Sequence, residues 1–463
     1  MLRIISFILA ILYLASSQSA GAQNVNRLVS TTPSNQPPTI DNGSTSGNPM
    51  SAQNGRLIVF SSSASWLVTG DTKNKTDIFL RDTLNQTTVP PVRVSNGFNG
   101  EESNGDSIDP VISEEGRYIA FVSDASNLLP GGSDPTYFHV YRWDQSTRSN
   151  IQVDVAPNGQ IANRGVNNSN CGDWTAPPWA LSMSQDGRFI AFSSAATNLV
   201  ANGTNGSFQI FVRDMNSGSV ELISVATNGA QANSDSSCPA ISNNGLFVAF
   251  QSPANNLDTG LYGYTEVFLH DRSAQTTVLV SRNPLAGGVQ SGDSHAPRIS
   301  TDGRYVGFLT PYPFDNVHDG NTYRDVYVYD RVTGGYTMAS PGGSTSQDHP
   351  QFNMSADGKF VIYQGRANGV LDGGNSDLYR YNIPSDGSLG ITDRITVPIN
   401  NPQNPSNTNS YPALSQHGNV AAFVSTDHYL VLGLTTYTDQ LVYQWGPANL
   451  NDIDNIFRNG FEQ

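Results

Sequence analysis

Charge is scarce in this chain, and most of it is negative. Only 14% of the 463 residues are charged, and 24 Lys and Arg stand against 39 Asp and Glu, for a formal net charge of −15. Such a surface repels the phosphates of nucleic acids and the headgroups of anionic membranes. We therefore expect no nucleic-acid partner and, as the ligand, a protein, a peptide or a glycan.

Long apolar segments are almost absent as well. The clear example spans residues 4–15, follows Arg3 and precedes Ala20, Gly21 and Ala22, a small-residue pattern typical of signal-peptide cleavage. This predicts a signal peptide over residues 1–22 and export to the periplasm or to the outside of a bacterial cell. No later segment is long and apolar enough to span a bilayer as a helix, so we expect no membrane insertion. We also expect a monomer.

Glycine, in contrast, is abundant, and it recurs in a pattern. Seven copies of one repeat each contain a Gly that is followed five residues later by an aromatic residue, at Gly55/Phe60, Gly116/Phe121, Gly187/Phe192, Gly245/Phe250, Gly303/Phe308, Gly358/Tyr363 and Gly418/Phe423. In most copies a Pro precedes the Gly and opens a short apolar segment, as in "PAIS". Because Asp-Gly and Asn-Gly pairs between apolar segments favour tight turns, each copy predicts a β-hairpin.

A third and a fourth strand are predicted after each hairpin. The third strands begin at Asp77, His139, Gln209, Glu266, Asp325, Asp377 and Gln440. Only six copies have a fourth strand, whereas an unassigned strand, residues 26–30, precedes the first copy. The complementary ends predict an all-β, seven-bladed β-propeller of four-stranded blades, residues 23–446, whose last blade is completed by the N-terminal strand. An open array is the alternative.

The repeat S-x-D-G-R-x-[IV]-A-F, followed by D-[IV]-[FY]-V-x-D, resembles the TolB-type, WD-repeat-like propellers of exported bacterial proteins. The resemblance covers most of residues 24–446. It implies the fold rather than an activity, because propellers serve in binding, in scaffolding and in catalysis. A TolB-like structural role in the envelope is therefore one alternative. Residues 447–463 form a tail outside the repeats, which resembles short sorting or docking endings; packing on the last blade or disorder is the alternative.

The loops that join strands 2 and 3, and those that join strand 4 to the next blade, share one face in a propeller. These loops are the longest and most polar, so we predict that the ligand binds on this long-loop face. Their acidic and amide residues suggest calcium as a cofactor, with candidate ligands Asp71, Asn74, Asp77, Asp319, Asn321, Asp325, Asp372, Asn375 and Asp377. The alternative is turn chemistry without an ion.

Three histidines of the same face, His295, His349 and His318, are candidate binding residues near the axis. They could also hold a transition metal, as in the propeller-type oligogalacturonate lyases, which would make the chain a metal-assisted polysaccharide lyase or hydrolase. No Ser-His-Asp pattern or G-x-S-x-G motif is present, and no catalytic residue is assigned. The prediction is therefore a non-catalytic binding propeller, with the enzyme as an alternative.

The only two cysteines, Cys171 and Cys238, fall in corresponding loops of adjacent copies. An even count in an exported chain favours a disulfide, here one that would hold the longest loop insertion in place. Two buried free thiols are the alternative. The same insertion contains Trp174 and Trp179, which either fill the core or form an exposed aromatic platform for a ligand.

Overall fold

The computed structural model describes residues 24–31, 46–84, 89–166, 181–260, 263–285, 293–314, 319, 323–340, 351–365, 377–384, 390–397, 409–426, 430 and 440–447. Across these ranges the secondary structure consists of 28 β-strands and one short 3-10 helix, Gln53–Gly55. No helix in the described part has the length and apolar character needed to cross a membrane.

The strands form seven antiparallel four-stranded sheets, which confirms the predicted seven-bladed propeller. The strands of blades 1–3 are β2 (Ser46–Ala52), β3 (Leu57–Ser62), β4 (Asp77–Asp82) and β5 (Val92–Arg93); β6 (Ser107–Ile112), β7 (Tyr118–Ser123), β8 (His139–Asp144) and β9 (Ser149–Gln152); β10 (Leu181–Met183), β11 (Phe189–Ser194), β12 (Gln209–Asp214) and β13 (Val220–Leu222). The strands of blades 4–6 are β14 (Ser237–Ile241), β15 (Phe247–Ser252), β16 (Glu266–Asp271) and β17 (Thr276–Leu279); β18 (His295–Ile299), β19 (Tyr305–Thr310), β20 (Asp325–Asp330) and β21 (Gly335–Met338); β22 (Phe352–Met354), β23 (Phe360–Gly365), β24 (Asp377–Asn382) and β25 (Thr392–Arg394).

Blade 7 joins the two ends of the chain, as the sequence predicts. It contains β26 (Asn409–Leu414), β27 (Ala421–Ser425), β28 (Leu441–Pro447) and, on its outer edge, β1 (Asn24–Leu28). β1 pairs antiparallel with β28 in a register that places Leu28 opposite Tyr443. The N-terminal strand therefore occupies the position that strand 4 has in the other blades, and the outer edge of β28 is not left unpaired.

One hydrogen bond recurs in all seven blades where strand 4 ends. The amide of the second residue of strand 3 donates to a side-chain oxygen just beyond strand 4. The pairs are Ile78–Ser95, Val140–Asp154, Ile210–Ser224, Val267–Ser281, Val326–Ser340, Leu378–Thr396 and Val442–Ser30. Because a side chain replaces the backbone acceptor here, the ladder between strands 3 and 4 ends before this residue in every blade. Ser30 supplies the same bond for the N-terminal strand.

The innermost strands differ from the prediction in where they begin. In five of the seven blades a proline lies inside this strand rather than at its start, and the pairing with strand 2 shifts register there. The residue before each of these prolines has a φ of 49° to 56°, at Asn48, Asp109, Cys238, Ala296 and Tyr411. Proline cannot donate to the ladder, so the chain forms a β-bulge at this point and then resumes pairing.

Aromatic stacking fills the interior of each blade. The aromatic residue that follows the hairpin Gly by five positions stacks on an aromatic residue of strand 3, with ring centroids 5.7 to 6.4 Å apart. The pairs are Phe60–Phe79, Phe121–Tyr141, Phe192–Phe211, Phe250–Phe268, Phe308–Tyr327, Tyr363–Tyr379 and Phe423–Tyr443. The Gly-to-aromatic spacing that repeats in the sequence therefore reflects an aromatic contact that repeats in every blade.

The hairpin glycines also set the contact between blades. Each has a positive φ, and a Cβ in its place would lie 2.1 to 2.5 Å from the first residue of strand 2 in the preceding blade or, for Gly55, from the residue just before that strand. Gly245, for example, has a φ of 69° and faces Phe189. Gly55 makes the same contact with Val420 of blade 7, so the ring closes with the packing that it uses elsewhere. Only glycine satisfies both the turn and the close approach.

A pair of alanine substitutions separates these two requirements. Gly245→Ala would place its Cβ 2.3 Å from Phe189, whereas Gly229→Ala, at a φ of 82°, would meet no atom within 4 Å. Both variants carry the cost of a positive φ, but only the first overpacks the interface between blades, which costs about 1–3 kcal/mol more. Urea unfolding followed by circular dichroism should show this difference in the free energy of unfolding. Equal losses of unfolding free energy in the two variants would show that the interface between blades accommodates the added Cβ without further cost.

Candidate functional site

Exposed tyrosines mark the long-loop face. Tyr137, Tyr264 and Tyr323 each precede strand 3 by two residues, in blades 2, 4 and 5, and are 41%, 45% and 40% exposed. Phe98, in the loop between β5 and β6, is 56% exposed on the same face. Equivalent positions in a propeller lie at the same height and radius, so the three tyrosines lie on one arc of this face, with Ser207 at the equivalent position of the intervening blade 3. The sequence analysis did not single them out, although their shared spacing from strand 3 is visible in the sequence.

Three of the predicted calcium ligands have a structural partner within their own blade. Asp77, Asp325 and Asp377 are the first residues of strand 3, and all are buried. Each accepts a hydrogen bond from the hydroxyl that follows strand 4, at O···O distances of 2.5, 2.8 and 2.7 Å. Other blades have His139, Gln209 or Glu266 at this position. The position therefore has a role in the blade that is independent of any ion.

Asp71 and Asp319 are equivalent residues of blades 1 and 5, six positions before strand 3, but their surroundings differ. The hydroxyl of Tyr327 donates to Asp319 Oδ2 at 2.7 Å, and burial, together with this bond, raises the pKa of Tyr327. The residue equivalent to Tyr327 in blade 1 is Phe79, which has no hydroxyl. Burial, together with the charges of Asp77 and Glu102, raises the pKa of the Asp71 carboxyl to about 7.

Glu102 is the residue that the sequence analysis missed. It lies in the loop between β5 and β6, and it brings a third carboxylate to within 4.8 Å of ligand atoms of Asp71 and Asp77. All three residues are buried. Asn74 lies in the same loop as Asp71 and has a φ of 52°. Asn321, Asp372 and Asn375 lie outside the described residues.

Only part of the predicted histidine and cysteine sites falls within the described structure. His295 is the first residue of β18 and is buried, so it lies at the long-loop end of an innermost strand. Cys238 is buried at the bulge of β14. Their predicted partners His349, His318 and Cys171 are outside the described residues, as are Trp174 and Trp179. The transition-metal site, the disulfide and the tryptophan platform therefore stay predictions.

An axial cavity of about 170 Å³ lies at the other end of the innermost strands, where they turn into strand 2. Its apolar lining includes one residue from each of six blades, Ile112, Met183, Ile241, Ile299, Met354 and Leu414. Hydrogen bonds between successive hairpins surround it, for example from Glu114 N to Gln185 O at 2.9 Å and from Asn243 N to Thr301 O at 2.9 Å. Since these bonds join neighbouring blades, the cavity is preformed.

Arg298 supplies a positive charge to this cavity. Its Nη1 donates to the carbonyl of Pro297 at 2.8 Å, and its guanidinium lies 5.5 Å from the centre of the Phe352 ring. Burial lowers the pKa of Arg298 to about 9. A guanidinium that is removed from bulk water in this way favours an anionic group beside it. Glu114 also lines the cavity, at its polar rim.

Glu266 of blade 4 is a buried acid in a position where blade 3 has an amide. Its Oε2 accepts a hydrogen bond from Ser281 Oγ at 2.5 Å, and its Oε1 is buried without a hydrogen-bond donor among the described residues. Burial, with a smaller contribution from Asp293, raises the pKa of Glu266 to about 8. At neutral pH the side chain is therefore mostly protonated, which makes it similar to Gln209.

This difference predicts a stability that depends on pH. Glu266 binds its proton more tightly in the folded chain, so its contribution is complete below the ordinary Glu value of 4.5 and is lost as pH rises through about 8. Between these two pH values, the free energy of unfolding of the wild type should fall by up to about 1.4 kcal/mol per pH unit relative to that of Glu266→Gln. Urea unfolding of both proteins from pH 4.5 to 9 measures the difference. A constant difference would show that Glu266 is ionised throughout.

Solved structures share this architecture at low sequence identity. An oligogalacturonate lyase from Vibrio parahaemolyticus superposes with a TM-score of 0.50 at 12% identity, over 93% of each chain. The β-propeller domain of the Trilobed protease from Pyrococcus furiosus, described as having an open velcro topology, gives 0.51 at 11% identity, over 88% of this chain and 94% of that domain. TolB from Acinetobacter baumannii gives 0.42 at 16% identity, over 74% of this chain.

In fold, the chain resembles this lyase and this propeller domain. It spans about 64% of the length of that TolB. No family model matches the chain, and no curated protein matches its sequence. At these identities the likeness concerns the fold alone, so the function has to be argued from the surface and the buried groups of this chain.

Proposed function

We propose that this chain is an exported, non-catalytic β-propeller that binds a protein, peptide or glycan on its long-loop face. The observation that carries the proposal is the arc of Tyr137, Tyr264 and Tyr323, which are about two-fifths exposed at equivalent positions. Tyrosine combines a large apolar ring with a hydroxyl and has few rotatable bonds, so it contributes strongly to binding surfaces.

The scaffold beneath these tyrosines supports the proposal. Side-chain amides join adjacent long loops, as in the bond from Asn104 N to Asn127 Oδ1 at 3.0 Å and the bond from Asn233 N to Asn256 Oδ1 at 3.0 Å. These bonds recur between blades 1 and 2 and between blades 3 and 4, so the loops are held by one another. A surface that is already ordered loses little conformational entropy when a ligand binds.

The proposed export depends on the predicted signal peptide, residues 1–22, which lies outside the described residues. A mature chain that begins at residue 23 keeps Asn24–Leu28 and therefore keeps the strand that completes blade 7. The proposed cleavage is thus compatible with the closed ring. The predicted tail, residues 447–463, would extend from the end of β28.

Replacing the three tyrosines tests the proposed binding face. The mature protein, displayed against a glycan array and against solubilised cell-envelope proteins, should retain specific ligands that the variant Tyr137→Ala/Tyr264→Ala/Tyr323→Ala binds at least about tenfold more weakly. A control variant, Val332→Ala/Ile391→Ala, removes two more exposed side chains, 68% and 70% exposed, from the opposite face and should bind normally. Equal binding by all three proteins would reject the long-loop face as the site.

The axial cavity favours a second candidate function, the binding of a small anionic ligand. Its volume of about 170 Å³ suits a compact molecule, six blades contribute an apolar side chain to its lining beside polar residues, and Arg298 provides the cation. A small carboxylate with an apolar body is the chemical class that fits this lining. This site lies at the opposite end of the channel from the tyrosines, so the two candidate functions can be tested separately.

A library of small carboxylates and uronates, screened by thermal melting, tests the cavity. A ligand present at about 100 times its Kd should stabilise the wild type by about 2.7 kcal/mol. Arg298→Met should abolish this stabilisation while the tyrosine variant keeps it. If no anion shifts the melting temperature of the wild type, or if Arg298→Met responds equally, the cavity is not an anion site.

A further inference from the structure

Three acidic residues converge where blade 1 meets blade 2. Asp71 lies in the loop between β3 and β4, Asp77 is the first residue of β4, and Glu102 lies in the loop between β5 and β6. One ligand atom of each residue lies within 4.8 Å of those of the other two, and all three side chains are buried. The folded chain therefore brings together carboxylates that are up to 31 positions apart in the sequence.

Asp71 is the member of this cluster that points to a ligand. The residue is 8% exposed, and its Oδ2 is buried without a hydrogen-bond donor among the described residues. In blade 5 the equivalent Asp319 accepts its hydrogen bond from Tyr327, whereas Phe79 takes the place of that tyrosine in blade 1. A buried carboxylate oxygen without a donor is costly unless a proton or a cation lies beside it.

The positive groups near the cluster do not balance it. Arg93 Nη1 lies 3.7 Å from Asp77 Oδ2. Lys73 directs its Nζ to the carbonyl oxygen of Glu102, at 2.8 Å, rather than to the carboxylate. The backbone amides of Thr72 and Lys73 donate to Glu102 Oε1 at 3.0 and 2.6 Å and hold that side chain in place. Three carboxylates thus share one nearby guanidinium.

The junction of blades 3 and 4 shows that the fold does not need these charges. There, the positions equivalent to Asp71, Asp77 and Glu102 are occupied by Gly203, Gln209 and Gln231. Gln231 Oε1 accepts from Asn205 N at 3.2 Å, as Glu102 Oε1 accepts from Lys73 N. Its Nε2 donates to Gly203 O at 3.0 Å. A neutral amide therefore closes the same loop in the same way.

We propose that Asp71, Asp77 and Glu102 bind one calcium ion between blades 1 and 2. Carboxylate oxygens are the ligands that this hard cation prefers, and calcium accepts irregular geometry and completes its coordination with carbonyl oxygens and water. The site keeps two members of the loop proposed from the sequence, Asp71 and Asp77, and adds Glu102 from the neighbouring loop. It does not depend on the proposed ligand-binding function, because it would stabilise the loop beneath the long-loop face whatever that face binds.

Calcium titration of the mature protein after EDTA treatment tests the site. Calorimetry with calcium chloride should show one ion per chain, and magnesium chloride should bind more weakly because magnesium requires a regular octahedral set of ligands. Glu102→Gln, which copies Gln231, and Asp71→Asn should each weaken calcium binding at least about tenfold. Asp319→Asn, the equivalent change in blade 5, should leave the calcium affinity unchanged.

Melting temperatures separate loss of the ion from loss of the fold. In EDTA, Glu102→Gln should melt at or above the temperature of the wild type, since it removes a buried charge and supplies an amide donor beside Asp71. With calcium present, only the wild type and Asp319→Asn should gain stability. A wild type that binds no calcium would overturn the proposal and assign a shared proton to the carboxylates. Calcium binding that both cluster variants leave unchanged would also overturn it.

Discussion

The contact between adjacent blades is the constraint on which the rest of this structure depends. A single four-stranded sheet has two apolar faces and two free edges and cannot be stable alone, so each blade needs a neighbour on both sides. The hairpin glycines allow that approach, and Gly55 repeats it against Val420 of the last blade. β1 then completes blade 7 through the same kind of bond, from Val442 N to Ser30, that the other blades make locally.

Repetition also makes the exceptions informative. At the first position of strand 3, blade 3 has a glutamine, whereas blade 4 has Glu266, whose pKa is raised to about 8. At the junction of blades 1 and 2, three acids occupy positions that carry neutral residues between blades 3 and 4. The same backbone thus accommodates either neutral amides or ionisable groups. Ionisable groups at such positions change how the chain responds to protons and cations without changing the fold.

The two ends of the channel differ in chemistry for a topological reason. Strands 1 and 2 are joined by short hairpins whose amides bond to one another around the axis, and these hairpins enclose a small cavity with a mixed apolar and polar lining that includes Arg298. The other end receives the longer connections, and these hold the exposed tyrosines and the acidic cluster. A small ligand fits the first end, whereas the second offers a broad surface to a larger partner.

The sequence by itself determined the number of blades, their four strands and the closure by the N-terminal strand. These follow from short-range patterns, such as the Gly-to-aromatic spacing at Gly245 and Phe250, that repeat often enough to be recognised. The sequence also predicted Asp71 and Asp77 as candidate calcium ligands, because they lie close together in one connection. Only the tertiary structure brought Glu102 beside them, because Glu102 lies in the connection to blade 2 and its position depends on how the two blades pack. Phe79 can be read from the sequence, but its meaning for Asp71 required the bond between Tyr327 and Asp319 within blade 5. The position of Arg298 in the axial cavity was likewise decided by the ring, because a single strand does not reveal which of its residues face the axis.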